Sequence, residues 1–233
     1  MDIPSITEKQ IAIIGLGGVG TYLLPVLIKT LPRDSDILLV DGDKFESKNL
    51  DRQLFPSQYI GINKAEALVR AYPSANLTAI PRYIGGGLVL PPKIPLFCCV
   101  DNHPARLHLL NLADSAHHPV FVGANEFNSA QSYFYVSNFK GTKADPRVRF
   151  PDMLQNTQGD RHKPSCAQEQ VNNRQLAIFN QAAANYMSQL FWLHFAEGKR
   201  LPKKVRKEFA IQHSCNFNLQ KTIKLKEVLD ENS

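Results

Sequence analysis

The feature that most constrains the fold is the run Gly15-Leu16-Gly17-Gly18-Val19-Gly20, which separates the apolar stretch Gln10 to Ile14 from a helical pattern running to Leu31. A strand that passes into a helix through glycines can bend tightly and come close to a ligand. It also presents the helix's unpaired N–H groups and partial positive charge. Gly15, Gly17, Gly18 and Gly20 therefore read as a cradle for nucleotide phosphates.

The next apolar run, Ile37 to Val40, ends in Asp41-Gly42-Asp43. An acidic residue about twenty positions beyond such a turn can accept ribose hydroxyls, so this spacing alone points to a dinucleotide-binding Rossmann unit and keeps NAD in play. The polar series that follows argues against hydride transfer: Asn49-Leu50-Asp51-Arg52-Gln53, Gly61-Ile62-Asn63-Lys64-Ala65, then Val100-Asp101-Asn102 with Arg106 on the following helix. Attack of a carboxylate on the α-phosphate of ATP brings two anions together and expels pyrophosphate, which calls for cations and a metal. Arg52, Lys64 and an Asp101-bound magnesium would meet that demand. Taken one at a time, Arg52 suits a surface ion pair, Lys64 an exposed helix lysine and Asp101 a helix N-cap. Their order behind the glycine turn favours a site.

In that order the motifs resemble the adenylation domain of the ubiquitin-activating enzyme superfamily, in its ThiF and MoeB branch, over Gln10 to Gly123 and more loosely to Glu197. The resemblance implies ATP and magnesium (Mg2+) as cofactors. By it, Gly15, Gly17, Gly18, Gly20, Asp41 and Asp43 hold ATP, Asn49 and Arg52 reach the nucleotide and phosphates, and Gln53 and Asn102 stand beside them. Lys64 contacts the phosphates and Asp101 helps to hold the metal. The implied substrate is the C-terminal carboxylate of a small ubiquitin-like or sulfur-carrier protein ending in glycine, made into an acyl-adenylate by a homodimer. Phe191, Trp192 and Phe195 could serve that pairing or be buried within one chain.

Members that pass the acyl group onto themselves carry a cysteine in the loop crossing over the adenylate. Cys166, in Pro164-Ser165-Cys166-Ala167, stands at the corresponding place, and Arg161, His162 and Lys163 just upstream would lower its thiol pKa. A packing cysteine in an adenylate-only enzyme fits the same position. The chain departs from many relatives in having no C-x-x-C pair, so no zinc is expected, and no separate cysteine or ubiquitin-fold domain, a minimal form. Relatives also lend an N-terminal arginine to the neighbouring subunit. Met1 to Lys9 contain none, which leaves that charge to a partner or to Arg33, or leaves activity reduced. The rivals are carrier sulfuration or modification of a peptide or tRNA-linked carboxylate without a cysteine intermediate and, from another class, a nucleotide-binding scaffold that has lost catalysis.

At 233 residues, with 43% hydrophobic and 21% charged content, the chain suits one soluble α/β domain. The expected fold is Rossmann-like, a mostly parallel sheet with helices on both faces and antiparallel strands in the C-terminal part. Residues 1–137 read as the ATP-binding core, 138–172 as a crossover loop without helical or strand period, and 173–233 as a helix and basic tail of the same domain. Strands are expected at Leu77 to Ile80, Leu96 to Val100, Pro119 to Val122 and Gln131 to Val136, with two more between Phe209 and Leu225. Cys98 and Cys99 read as reduced strand residues facing opposite sides and, with Cys215, remote from ATP. His103, His108, His117 and His118 read as surface residues. The net charge of +6 is concentrated in Lys199 to Lys207 without interleaved aromatics, which makes nucleic acid an unlikely partner. No apolar run long enough to span a membrane and no secretory signal are visible, so a cytoplasmic location is expected.

Overall fold

The computed structural model describes residues 8–85, 87–125, 129–155, 177–195, 213–216 and 221–222. The chain alternates β1 (Gln10–Ile14), α1 (Gly18–Thr30), β2 (Asp36–Val40), α2 (Lys64–Ala71), β3 (Leu77–Ile80), β4 (Leu96–Cys98), α3 (His103–Ala116) and β5 (Val120–Asn125). There follow β6 (Ser129–Tyr135), two single-turn helices α4 (Pro146–Arg149) and α5 (Asp152–Gln155), the long α6 (Ala177–Phe195), and the short strands β7 (His213–Asn216) and β8 (Lys221–Thr222). The sheet order is β3-β2-β1-β4-β5-β6, continued by β7 and β8. Pairing is parallel from β3 to β5 and antiparallel from β5 onward.

Period-two alternation sorts each strand between two cores. Ile11, Ile13, Phe97 and Phe121 face α1, α2 and α6, whereas Ala12, Ile14, Leu96 and Val122 face α3 and α5. Cys98 and Cys99 fall on opposite faces, as their adjacency requires. Phe191 is fully buried and meets Phe97 and Phe121 at centroid distances of 5.2 and 5.6 Å, with Phe195 stacked on it. Two of the three C-terminal aromatics therefore serve the core within this chain. No helix among the described residues is long and apolar enough to cross a membrane.

Some elements differ from expectation for local reasons. β4 stops at Cys98 because the glycine turn after β1 packs against Cys99 and Val100. β5 runs on to Asn125 because antiparallel pairing carries it, with Asn125 opposite Ala130. The stretch after Asn138 is not irregular throughout: Asp145 accepts from the Arg147 N–H and Pro146 takes the first helical position, which starts α4. A helix of one turn leaves no period to detect. His118 is 1% exposed rather than a surface residue, with Nδ1 3.0 Å from the Ile94 carbonyl, and burial pulls its pKa down.

α4 is fastened by a charged knot. The Arg147 guanidinium donates to Asp145 (2.9 Å), to Asp114 (2.8 Å) and to the Tyr135 hydroxyl, while Lys140 pairs with Asp114 at 3.2 Å. Burial raises the Asp114 pKa, but the hydrogen bonds from Arg147, Tyr135 and Lys140 outweigh it and hold the carboxyl below its ordinary value. A depressed folded-state pKa gives stability that is present above the unfolded value near 3.8 and lost as pH falls through the folded one. Asp114→Asn should therefore cost about 3 kcal/mol at neutral pH, and the gap to wild type should close as pH drops below that range. Urea denaturation across pH measures this; a gap independent of pH would contradict it.

Candidate functional site

The strand order reverses between β1 and β4, so the carboxyl ends of these strands open a crevice. The glycine turn lies there. Gly15 has φ +90°, and a Cβ on it would stand 2.8 Å from the Cys99 carbonyl carbon, so only glycine fits. Gly17 caps α1 without a side chain, and a Cβ there would meet nothing nearer than Gln53 Nε2 at 3.9 Å. The first-turn N–H groups of α1 thus have no side-chain cap.

Asp41 braces this turn from the end of β2. Its Oδ2 accepts from the Leu16 N–H at 2.6 Å and its Oδ1 from the Asp43 N–H at 2.8 Å. It is 8% exposed. Burial pushes its pKa up, and the Lys64 charge and the two N–H donors act against that. Each carboxylate oxygen keeps a second lone pair, so Asp41 remains able to accept a ligand hydroxyl. Asp43 is the more open of the pair, with its side chain 52% exposed. Burial opposes its ionisation, but the Tyr83 hydroxyl and Lys64 prevail and lower its pKa.

Lys64 is not an exposed helix lysine. At 7% exposed it is buried at the start of α2, with Nζ 3.2 Å from Asp43 Oδ2. Asn63 sets that position: its Oδ1 caps α2 by accepting from the Ala65 and Glu66 N–H groups, and its Nδ2 donates to the carbonyls of Asp41 and Asp43. Gly61, at φ +88°, makes the left-handed turn that feeds it.

The loop carrying Arg52 and Gln53 is fixed at several points. Phe55 stacks on Phe45 at 3.6 Å, Thr21 Oγ1 accepts from the Leu54 N–H at 3.0 Å, and Asn49 closes a capping box with Glu46. Asn49, expected to reach nucleotide, is 5% exposed and uses Oδ1 on the Glu46 N–H. The Arg52 side chain is 21% exposed and touches the Lys48 carbonyl and Asp51. Gln53 is 8% exposed, and its buried Oε1 has no partner. That orphaned acceptor beside the turn is a group available to a ligand.

Asp101 is exposed beyond the end of β4. Asn102, not Asp101, caps α3, its Oδ1 accepting from the Ala105 N–H at 2.9 Å. Asp101 is thereby free of that structural duty, and Asn102 spends its carbonyl oxygen on it. Arg106 Nε donates to the Val100 carbonyl. Cys99 is not remote from the cradle, since its backbone abuts Gly15, but burial raises its thiol pKa well above the ordinary value and makes it a poor nucleophile. Cys166, with Arg161, His162 and Lys163, lies outside the described residues. Among the described residues no group of three or more His, Cys, Asp or Glu side chains could hold a metal. Magnesium is commonly held by one or two carboxylates plus phosphate oxygens, so the lone exposed Asp101 is compatible with it.

Sequence reasoning missed Asn180. It sits fully buried in α6, donates from Nδ2 to the Arg52 carbonyl at 2.9 Å, and accepts on Oδ1 from Asn125 Nδ2 at 2.8 Å. Its amide also covers Gly18, where a Cβ would come within 2.5 Å of Nδ2. One side chain thus joins α1, the Arg52 loop, β5 and α6. Gly18→Ala should cost about 1–3 kcal/mol from this collision. Asn180→Ala should cost about the same through two lost buried hydrogen bonds. The double variant should fall short of the sum by about 1 kcal/mol, because removing the amide removes the clash. Additive costs in urea denaturation would refute the contact.

The comparisons with known proteins agree with this fold. The chain is 27% identical over 149 residues to ubiquitin-like modifier-activating enzyme 5 of Caenorhabditis briggsae, covering 56% of this chain and 34% of that protein. It therefore spans about a third of the length of the curated relatives it matches. Its fold is similar to that of PaaA (TM-score 0.64, 16% identity, covering 94% of this chain and 72% of that one). It is also similar to that of Escherichia coli MccB with ATP (TM-score 0.59, 22% identity, covering 80% and 55%). The ThiF family profile matches residues 3–227, nearly the whole length, and the chain belongs to the ThiF family.

Proposed function

We propose that this chain is an ATP-dependent adenylyltransferase that activates the C-terminal carboxylate of a small ubiquitin-like or sulfur-carrier protein. The observation that carries the reading is Lys64, a buried ammonium paired with Asp43 at the crevice where the uncapped glycine turn opens. A buried lysine is costly unless its charge is used, and a polyphosphate beside a helix N-terminus uses it. Membership of the ThiF family supports this reading, as does the likeness to relatives named ubiquitin-like modifier-activating enzyme.

In this reading Asp41 and Asp43 take the ribose hydroxyls. The α1 N–H groups receive the phosphates, and Gln53 offers its unpartnered oxygen beside them. Lys64 and Arg52 neutralise the charge that gathers as a carboxylate oxygen bonds to the α-phosphorus and the bond to pyrophosphate breaks. Magnesium held through Asp101 would add further neutralisation of the phosphates. Lys64→Ala and Asp101→Ala should each slow carrier-dependent pyrophosphate–ATP exchange about a hundredfold or more. Unchanged exchange in both, or calorimetry showing tight NAD binding without ATP binding, would overturn the proposal.

Cys166 is assigned the second step: its thiolate attacks the acyl carbon, a thioester forms, and AMP leaves with the electron pair of the broken bond. Cys166→Ala should then keep pyrophosphate exchange but form no reductant-sensitive adduct with the carrier. An adduct that persists in this variant, or none in wild type, would put the protein among the adenylate-only enzymes.

A further inference from the structure

Tyr83 follows β3 and is 68% exposed, yet its position is fixed from two sides. Its hydroxyl donates to Asp43 Oδ1 at 2.5 Å, while Lys64 holds the other oxygen of that carboxylate at 3.2 Å. Its ring lies flat on Gly42, where a Cβ would stand 2.7 Å from ring carbons. A glycine between the two aspartates is thus what admits the tyrosine. The hydrogen bond to Asp43 also pushes the Tyr83 pKa up to about 12.

We propose that Tyr83 tunes ribose recognition at this site: its hydroxyl already donates to the Asp43 oxygen offered to a ribose hydroxyl, so the two donors compete for one carboxylate oxygen when a ribonucleotide binds. The inference rests on the ATP-site reading above. A ribose hydroxyl that shares an oxygen with another donor gains less than one that meets a free carboxylate oxygen, because the acceptor's charge is divided between them. Tyr83 therefore weakens the response to ribose and leaves a nucleotide without ribose hydroxyls unaffected, because such a nucleotide brings no second donor to that oxygen. Tyr83→Phe keeps the ring on Gly42 and removes only the competing group.

Calorimetry on the intact chain with magnesium, using ATP and a dideoxy-ATP lacking both ribose hydroxyls, provides the test. Tyr83→Phe should tighten ATP binding about three- to tenfold, the worth of one hydrogen bond, and leave dideoxy-ATP unchanged. Weaker ATP binding, or an equal change for both nucleotides, would overturn the role given to Tyr83 while leaving the ATP site standing. If wild type binds neither nucleotide, the ATP-site reading fails and this inference with it.

Discussion

The site depends on one buried carboxylate. Asp41 joins the end of β2 to the turn leaving β1, because Leu16 and Asp43 both donate backbone N–H groups to it. A carboxylate at 8% exposure is expensive to desolvate, and its cost is only partly offset by those donors and by the Lys64 charge, so its pKa stays raised. This brace adds to the backbone bonds from Gly15 to the Val40 carbonyl and from Lys64 to the Asp43 carbonyl, both 2.9 Å, in fixing the glycine turn relative to Asp43 and Lys64. With it, the uncapped end of α1 and the acidic pair share one frame.

The polar residues then divide into those whose groups are spent on the frame and those that keep an exposed or unpartnered group. Asn49, Asn63, Asn102 and Asn180 use their amides on backbone groups, Asn180 also accepting from Asn125, and shape the loops. Asp43, Gln53 and Asp101 are the groups with an exposed carboxylate or an unpartnered acceptor. Lys64 links the two sets, since it is buried in the frame and its ion pair holds it against the exposed carboxylate of Asp43. This division explains why one asparagine-rich motif set can look entirely ligand-directed in sequence while much of it is architectural.

The parallel core was legible from the residues because period-two apolar runs and the glycine turn each have a single structural meaning here. Asp41 was found by its spacing from the glycine turn and Lys64 through the motif order that carries the family resemblance, although neither revealed that the one braces the turn or that the other is buried. Asn180 left no signal, being one polar position in the largely apolar stretch Ala177–Phe195, and its partners are remote in sequence: Asn125 and Arg52. Tyr83 was equally silent, since only the fold brings the end of β3 beside Asp43. His118 was misread as exposed because chain position after a helix says nothing about the Ile94 carbonyl that meets it. α4 and α5 escaped because single turns carry no period.

The central claim is that a carboxylate attacks the α-phosphorus at this crevice. The most direct measurement follows the oxygen atoms: the carrier captured by this protein, labelled with heavy oxygen in its C-terminal carboxylate, is incubated with ATP and the released AMP is weighed by mass spectrometry. Attack at the α-phosphorus and later cleavage of the acyl–oxygen bond should deliver one heavy oxygen to AMP. Unlabelled AMP, or ADP in its place, would contradict the account.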